Sequence, residues 1–206
     1  KVEDATIFLE NLKNDALNAK DRMSVMGIEG MAANVYFSVF SELITQQRED
    51  FPFTGRNRRP PKDAINVMLS FAYTLITHEV ISALETVGLD PYVGFLHTLR
   101  PGRASLALDM IEELRAYMGD RFVLSLINRK QIQPDDFLYQ GENGVIMKDD
   151  AKKVFLSSWQ KRKNETIEHP FLNEKVSIGI IPHIQALLLS RYLREDIDDY
   201  PVFLIK

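Results

Sequence analysis

The sequence predicts a mainly α protein with one small β-hairpin, and three observations carry that prediction. Apolar residues recur at three- and four-residue spacing through most of the 206 residues. Chain breakers fall between these runs, at Pro52, Gly55, Pro60-Pro61, Gly88, Pro91, Pro101-Gly102 and Gly119. The character changes near residue 140, where two short strand-like runs flank an Asn-Gly turn.

Amphipathic periodicity predicts helices from about Asp4 to Asn18 and from about Met26 to Gln47. Phe51 to Pro61 is a loop rich in breakers and basic groups. Pro61 sits at the first turn of a long helix running from Lys62 to about Val87 and closed by Gly88. Asp90-Pro91 marks a turn, and Tyr92–Leu99 forms a short segment. Pro101-Gly102 breaks the chain again before a helix from Ala104 to Met118, ended by Gly119, and a further helix from about Arg121 to Arg129. Phe137-Leu138-Tyr139 and Val145-Ile146-Met147 are the two strands, so the hairpin spans about residues 137–147. Helices resume at Asp149–Lys163 and at about Ser177–Glu195, with Pro182 near the start of the last. No internal repeat or low-complexity tract divides the chain, which reads as a single helical domain over residues 1–206.

Composition narrows the chemistry. The absence of cysteine excludes disulfides, Cys-ligated zinc, iron–sulfur clusters and thiol nucleophiles, and is compatible with a cytoplasmic location. No apolar run approaches the ~18 residues of a bilayer span, and the start lacks a signal-peptide core, so no membrane partner is expected. A net charge of −4 argues mildly against nucleic acid as a partner of the whole surface. A local basic patch runs the other way: Arg56, Arg58, Arg59 and Lys62 crowd into seven residues beside Pro60-Pro61, with Arg48 upstream.

Among acidic groups, Glu29 stands out. At helical spacing it aligns with Ala33, Tyr36 and Phe40, on an apolar stripe. A carboxylate buried there needs a hydrogen bond, a cation or a metal. Small neighbours, Gly27, Gly30, Ala32 and Ala33, leave room for close approach. Asp109 and Glu112 fall on adjacent positions of one helix face, and Asp109 with Glu113 is an equally good helical pair. Leu106, Met110, Leu114 and Tyr117 form that helix's core stripe, with Glu112 nearly opposite. By itself this is the look of a solvated acidic face, although a divalent cation would offset the repulsion between the carboxylates. His97 precedes the Arg100-Pro101-Gly102-Arg103 turn, twelve residues before Asp109; His78, His169 and His183 read as structural. Glu-x-x-His, His-Glu-x-x-His, adjacent His-Asp, a Gly-rich phosphate loop and Gly-x-Ser-x-Gly are all absent. One Glu, one His and one or two further acids beside a basic loop suit phosphodiester chemistry with Mg²⁺ or Mn²⁺, the imidazole tilting preference toward Mn²⁺.

Three blocks, in order, resemble the CRISPR-associated endonuclease/integrase of the spacer-acquisition (adaptation) module. The first is Gly27-Ile28-Glu29-Gly30-Met31-Ala32-Ala33 followed by Tyr36-Phe37. The second is Asn57-Arg58-Arg59-Pro60-Pro61-Lys62-Asp63 leading into Asn66–Thr74. Gly94-Phe95-Leu96-His97 and Ser105–Arg115 make the third. The resemblance implies Glu29, His97 and Glu112 as ligands of Mn²⁺ or Mg²⁺, with Asp109 as an additional catalytic acid, and it is the family pattern that selects Glu112 over Glu113. It implies a helical catalytic lobe preceded by a small β-rich dimerisation domain. These residues hold no such domain, and the opening Lys1-Val2-Glu3, without Met, reads as a piece of a longer protein. Asn34-Val35 stands where members often carry a basic residue, and Ala72 where Gly is common.

The implied activity is metal-dependent DNA cleavage and joining: a DNA 3′-hydroxyl of a spacer precursor, or water, attacks a phosphodiester, at the CRISPR repeat in the joining reaction. Implied partners are DNA, a second copy of the intact protein and the second adaptation subunit. Arg56, Arg58, Arg59, Lys62 and Arg103 are the expected DNA contacts. The competing reading is a non-catalytic helical module whose basic loop binds nucleic acid or an acidic protein.

Overall fold

The structure is a computed structural model, describing residues 1–205. Seven α-helices are present among them: α1 (Val2–Leu17), α2 (Arg22–Val39), α3 (Ala64–Thr86), α4 (Ser105–Leu114), α5 (Arg121–Asn128), α6 (Asp149–Asn164) and α7 (Ile181–Leu193). Two antiparallel hairpins complete the fold. β1 (Phe137–Tyr139) pairs with β2 (Val145–Met147), and β3 (Thr166–Glu168) with β4 (Lys175–Ser177). The mainly α class and the hairpin near residue 140 stand as expected. The second hairpin was not foreseen, because two three-residue strands are too short to show an alternating period.

The chain gathers into two compact units, Lys1–Met68 with Leu124–Ala151, and Leu69–Val123 with Lys152–Lys206. In the first unit, α1 packs on α2. Asp21 caps α2: its carboxylate accepts the Ser24 N–H at 2.9 Å, and that bond holds the Asp21 carboxyl below its ordinary range. Beyond α2 a 3₁₀ turn, Phe40–Leu43, ends the helix earlier than the apolar pattern suggested. Phe37, Phe40 and Phe53 cluster with centroids 5.3–6.1 Å apart, and Phe51 meets Phe137 edge-on at 6.2 Å. Register is set at Phe137↔Met147, which puts Phe137, Val145 and Met147 inward. Gly144, at φ +85°, supplies the left-handed residue this turn needs.

In the second unit Phe122 meets both Phe155 (5.0 Å) and Trp159 (5.1 Å), and Phe71 meets Phe155 at 4.9 Å. Trp159 donates its indole N–H to Glu79, which also pairs with Lys163 at 2.7 Å. α6 carries Asp149 and Asp150 in its first turn and Lys161, Arg162 and Lys163 in its last, matching the helix dipole at both ends.

Three expectations are corrected by the helices. The helix from Ala104 does not stop at Gly119. α4 ends at Leu114, and a π-helical turn, Arg115–Asp120, carries the chain into α5. Gly119 is buried in that turn, where an added Cβ would lie 2.9 Å from the Tyr73 ring. α3 also begins later than Lys62, because Asp63 caps it by accepting the Asn66 N–H at 2.8 Å. By length and composition, α3 is apolar enough to cross a membrane, contrary to the reading that no run came near this. Its buried stripe, Ile65, Met68, Leu69, Ala72, Ile76, Val80 and Leu84, explains that composition as core packing.

Candidate active site

Asp109 organises the site of the second unit. From α4, its Oδ2 accepts the backbone N–H groups of Phe95 (2.5 Å) and Leu96 (3.0 Å). Its Oδ1 accepts the His97 N–H at 3.0 Å and lies 2.6 Å from His97 Nδ1. The carboxylate is 9% exposed, so these four interactions occupy it almost entirely. A carboxylate at Nδ1 places the imidazole proton there and leaves the Nε2 lone pair as the ring's binding position. The close approach requires Gly94. A Cβ at that position would sit 2.8 Å from Asp109 Oδ2 and from the Ser105 backbone carbon. Ser105, fully buried, donates to Thr98 O at 3.0 Å and fastens the far side of the same loop.

One helical turn beyond Asp109, Glu112 is half-buried and ion-paired with Arg115. The Arg115 guanidinium lies 4.9 Å from the centre of the Tyr73 ring, and the Tyr73 hydroxyl donates to buried Asp120. Glu112 is therefore tied to the π turn, an element that recurs at functional sites.

Glu113 takes a different course. It accepts from the Tyr200 hydroxyl, from the Phe203 N–H at 2.6 Å and from Gln185 Nε2 at 3.1 Å. Gln185 in turn lies 3.1 Å from His169 Nε2. Burial pushes the Glu113 carboxyl above its ordinary value and holds the His169 imidazolium below its own; Tyr200 is raised by burial and by the adjacent Glu113. These four side chains fix the tail at residues 200–203 onto α4. Glu113 is committed to that tail, whereas Glu112 is ion-paired with Arg115. Sequence left the two open, since spacing does not reveal which of two adjacent carboxylates a distant Tyr will claim. A cavity of about 600 Å³ opens beside Asp109, Glu112 and Glu113, walled by apolar side chains that include Phe95, Met110, Leu189 and Tyr192.

Glu29 belongs to the first unit. It is exposed, not buried on an apolar stripe: the aligned positions run from open at Glu29 to fully buried at Phe40, so only the C-terminal half of α2 carries the core. Glu29 lines a cavity of about 530 Å³ with Asn34, Ser38, Thr54, Arg56 and Arg58. Arg56 turns inward, donating through Nη1 to Asn57 O (2.6 Å) and Asn66 Oδ1 (2.7 Å). Arg58, Arg59 and Lys62 are exposed, and Arg103 is half-buried beside Gly102. Asn66, fully buried, and Asp63, 8% exposed, are the residues sequence reasoning missed at this loop; two polar residues one turn apart at the head of an apolar helix were the available signal.

Within the second unit, the donor types are those a divalent ion takes: an imidazole oriented by a carboxylate, and the Glu112 carboxylate one turn on. Among the described residues, no three His, Asp or Glu side chains are gathered to hold one.

The fold and site define a mostly helical protein with a carboxylate-held imidazole and an exposed cationic loop. The chain belongs to the CRISPR associated protein Cas1 family, whose model matches residues 1–161. It is 54% identical over 203 residues to a CRISPR-associated endonuclease Cas1 of Chlorobaculum tepidum, covering 98% of this chain and 59% of that relative. The chain thus spans little more than half of that relative's length. A casposase bound to integration product matches with a TM-score of 0.81 and 26% identity, over 95% of this chain and 56% of the other. A chain of a Cas6-RT-Cas1–Cas2 complex matches with a TM-score of 0.86 and 25% identity, over all of this chain and 22% of its own length.

Proposed function

We propose that the protein of which this chain forms part is a metal-dependent DNA endonuclease and integrase of CRISPR spacer acquisition. The observation that carries the reading is the His97–Asp109 pair, in which four interactions are spent on aiming one imidazole. Glu29, His97 and Glu112 are the proposed donors to one Mn²⁺ or Mg²⁺. When bound, the ion supplies Lewis acidity to a phosphodiester oxygen. Asp109, hydrogen-bonded at Nδ1, fixes the ring's orientation and leaves Nε2 as the position that donates to the ion. Arg115 holds Glu112 by charge. The exposed cations Arg58, Arg59 and Lys62, with Arg103, grip flanking phosphates, so binding weakens with salt.

The substrates proposed are a spacer precursor, whose 3′-hydroxyl attacks the CRISPR repeat, and DNA nicked by water in the same chemistry. Family membership supports this, as does the likeness to a casposase bound to integration product. The partner proposed is the Cas2 subunit, on the likeness to a chain of a Cas6-RT-Cas1–Cas2 complex; a homodimer of the whole protein is proposed as the working form on the family resemblance alone.

The test is Mn²⁺-dependent cleavage and strand joining on labelled DNA. Glu29→Ala, His97→Ala and Glu112→Ala should each abolish both reactions while circular dichroism stays unchanged. A His97→Ala chain that cleaves at the unaltered rate with Mn²⁺ would reject the assignment.

A further inference from the structure

We infer that Asn66 is a positioning residue that turns the 55–62 loop into a preset phosphate grip, and that Arg56 belongs to its frame while Arg58, Arg59 and Lys62 do the gripping. The inference rests on the DNA reading above and refines it. Four cations that look equivalent in the sequence are divided by the structure into two kinds.

Asn66 is 0% exposed and uses its whole side-chain amide on the loop. Oδ1 accepts from Arg56 Nη1 at 2.7 Å and from the Asn57 N–H at 3.0 Å. Nδ2 donates to Gly55 O at 2.9 Å and to Asp63 Oδ2 at 2.6 Å. Both lone pairs and both protons are placed, so the amide acts as a rivet between residues 55–57 and the head of α3. Asp63 is held in turn by the Asn66 N–H it caps. Asn57 continues the frame: its Oδ1 accepts the Lys62 N–H at 2.7 Å, closing the loop on itself.

The other face of the loop is fastened by the first hairpin. The Val145 N–H donates to Pro61 O at 2.9 Å, and a Cβ on Gly144 would lie 2.5 Å from that same oxygen. Held from both sides, the loop has little freedom left to lose. Preset geometry lowers the ordering cost of binding, which is where such a frame acts.

The cations differ by direction. Arg56 Nη1 is spent on Asn57 and Asn66, and its Nε is shut away from solvent. Arg58, Arg59 and Lys62 are exposed and form no ion pair or side-chain hydrogen bond among the described residues. Arg58 alone of these three borders the cavity that holds Glu29. A polyanion lying over the loop meets three charged side chains carried on a fixed backbone, and each phosphate contact releases counterions.

Salt titration separates the two kinds of cation. Binding of a fluorescein-labelled duplex of mixed sequence is measured without metal over a range of NaCl concentrations. Arg58→Ala, Arg59→Ala and Lys62→Ala should each reduce the slope of log K against log salt by about 0.9. Arg56→Ala and Asn66→Ala should keep the slope and lower affinity several-fold, by the same factor at every salt concentration. Asn57→Ala, at a less buried part of the frame, should do the same if Asn66→Ala fails to fold. The decisive arm combines Asn66→Ala with loss of Arg58, Arg59 and Lys62. A residue acting through those cations has no further effect on affinity once they are gone; a merely structural one weakens the triple variant again. A slope for Arg56→Ala reduced as much as for the other three, or a further loss in the combined variant, overturns the inference alone. No binding by the unaltered chain would overturn the DNA reading itself.

Discussion

Asp109 is the residue whose role the structure changes most. Sequence presented it as one carboxylate of an acidic helix face, ready for a cation or for solvent. In the structure its two oxygens are consumed by three backbone N–H groups and an imidazole. Asp109→Asn keeps the shape but replaces one acceptor oxygen by an amide nitrogen, which donates and cannot accept. With His97 as the proposed metal donor, activity should fall about 10- to 100-fold, the range for groups that orient metal-binding histidines. Gly94→Ala should produce the same loss by another route, because its Cβ would press the loop off Ser105. A kinetic comparison of both variants with the unaltered chain checks this, and full activity in either would sever His97 geometry from catalysis.

At the scale of elements, periodicity located all seven helices and the first hairpin, because each long stripe repeats often enough to be seen. What it missed was short or non-repeating. The π turn at Arg115–Asp120 inserts extra backbone without breaking the apolar run, and Gly119 there looked like a helix end. The glycine serves packing: its missing side chain is filled by Tyr73, which also sits under Arg115, the partner of Glu112. Gly119→Ala should cost about 1–3 kcal/mol by overpacking, read as a lowered denaturation midpoint with unchanged denaturant slope. The site was legible to the same limit. His97, Asp109 and Glu112 could be nominated from spacing and family blocks. That Asp109 would orient His97, that Glu113 would be claimed by Tyr200, and that Arg56 would turn inward depend on contacts between residues distant in sequence.

The whole molecule carries a buried polar network, His169–Gln185–Glu113–Tyr200, that fastens the tail and gives stability a pH dependence. Burial holds the His169 pKa below its ordinary 6.5. The folded state therefore resists a proton that the unfolded chain accepts. This contribution to stability is complete above about pH 6.5 and is lost as pH falls through the lowered folded value. The slope cannot exceed about 1.4 kcal/mol per pH unit for one group. His169→Gln should flatten the loss below pH 6.5 in urea titrations; an unchanged slope would assign the acid sensitivity elsewhere.

His97, held by Asp109, is the proposed donor to a divalent ion used in phosphodiester chemistry. Thermal melting in a Mn²⁺ titration tests it most directly, comparing the unaltered chain with His97→Ala. A rise in melting temperature with Mn²⁺ that vanishes in the variant is the predicted result. No rise at millimolar Mn²⁺, or an equal rise in both proteins, would contradict the account.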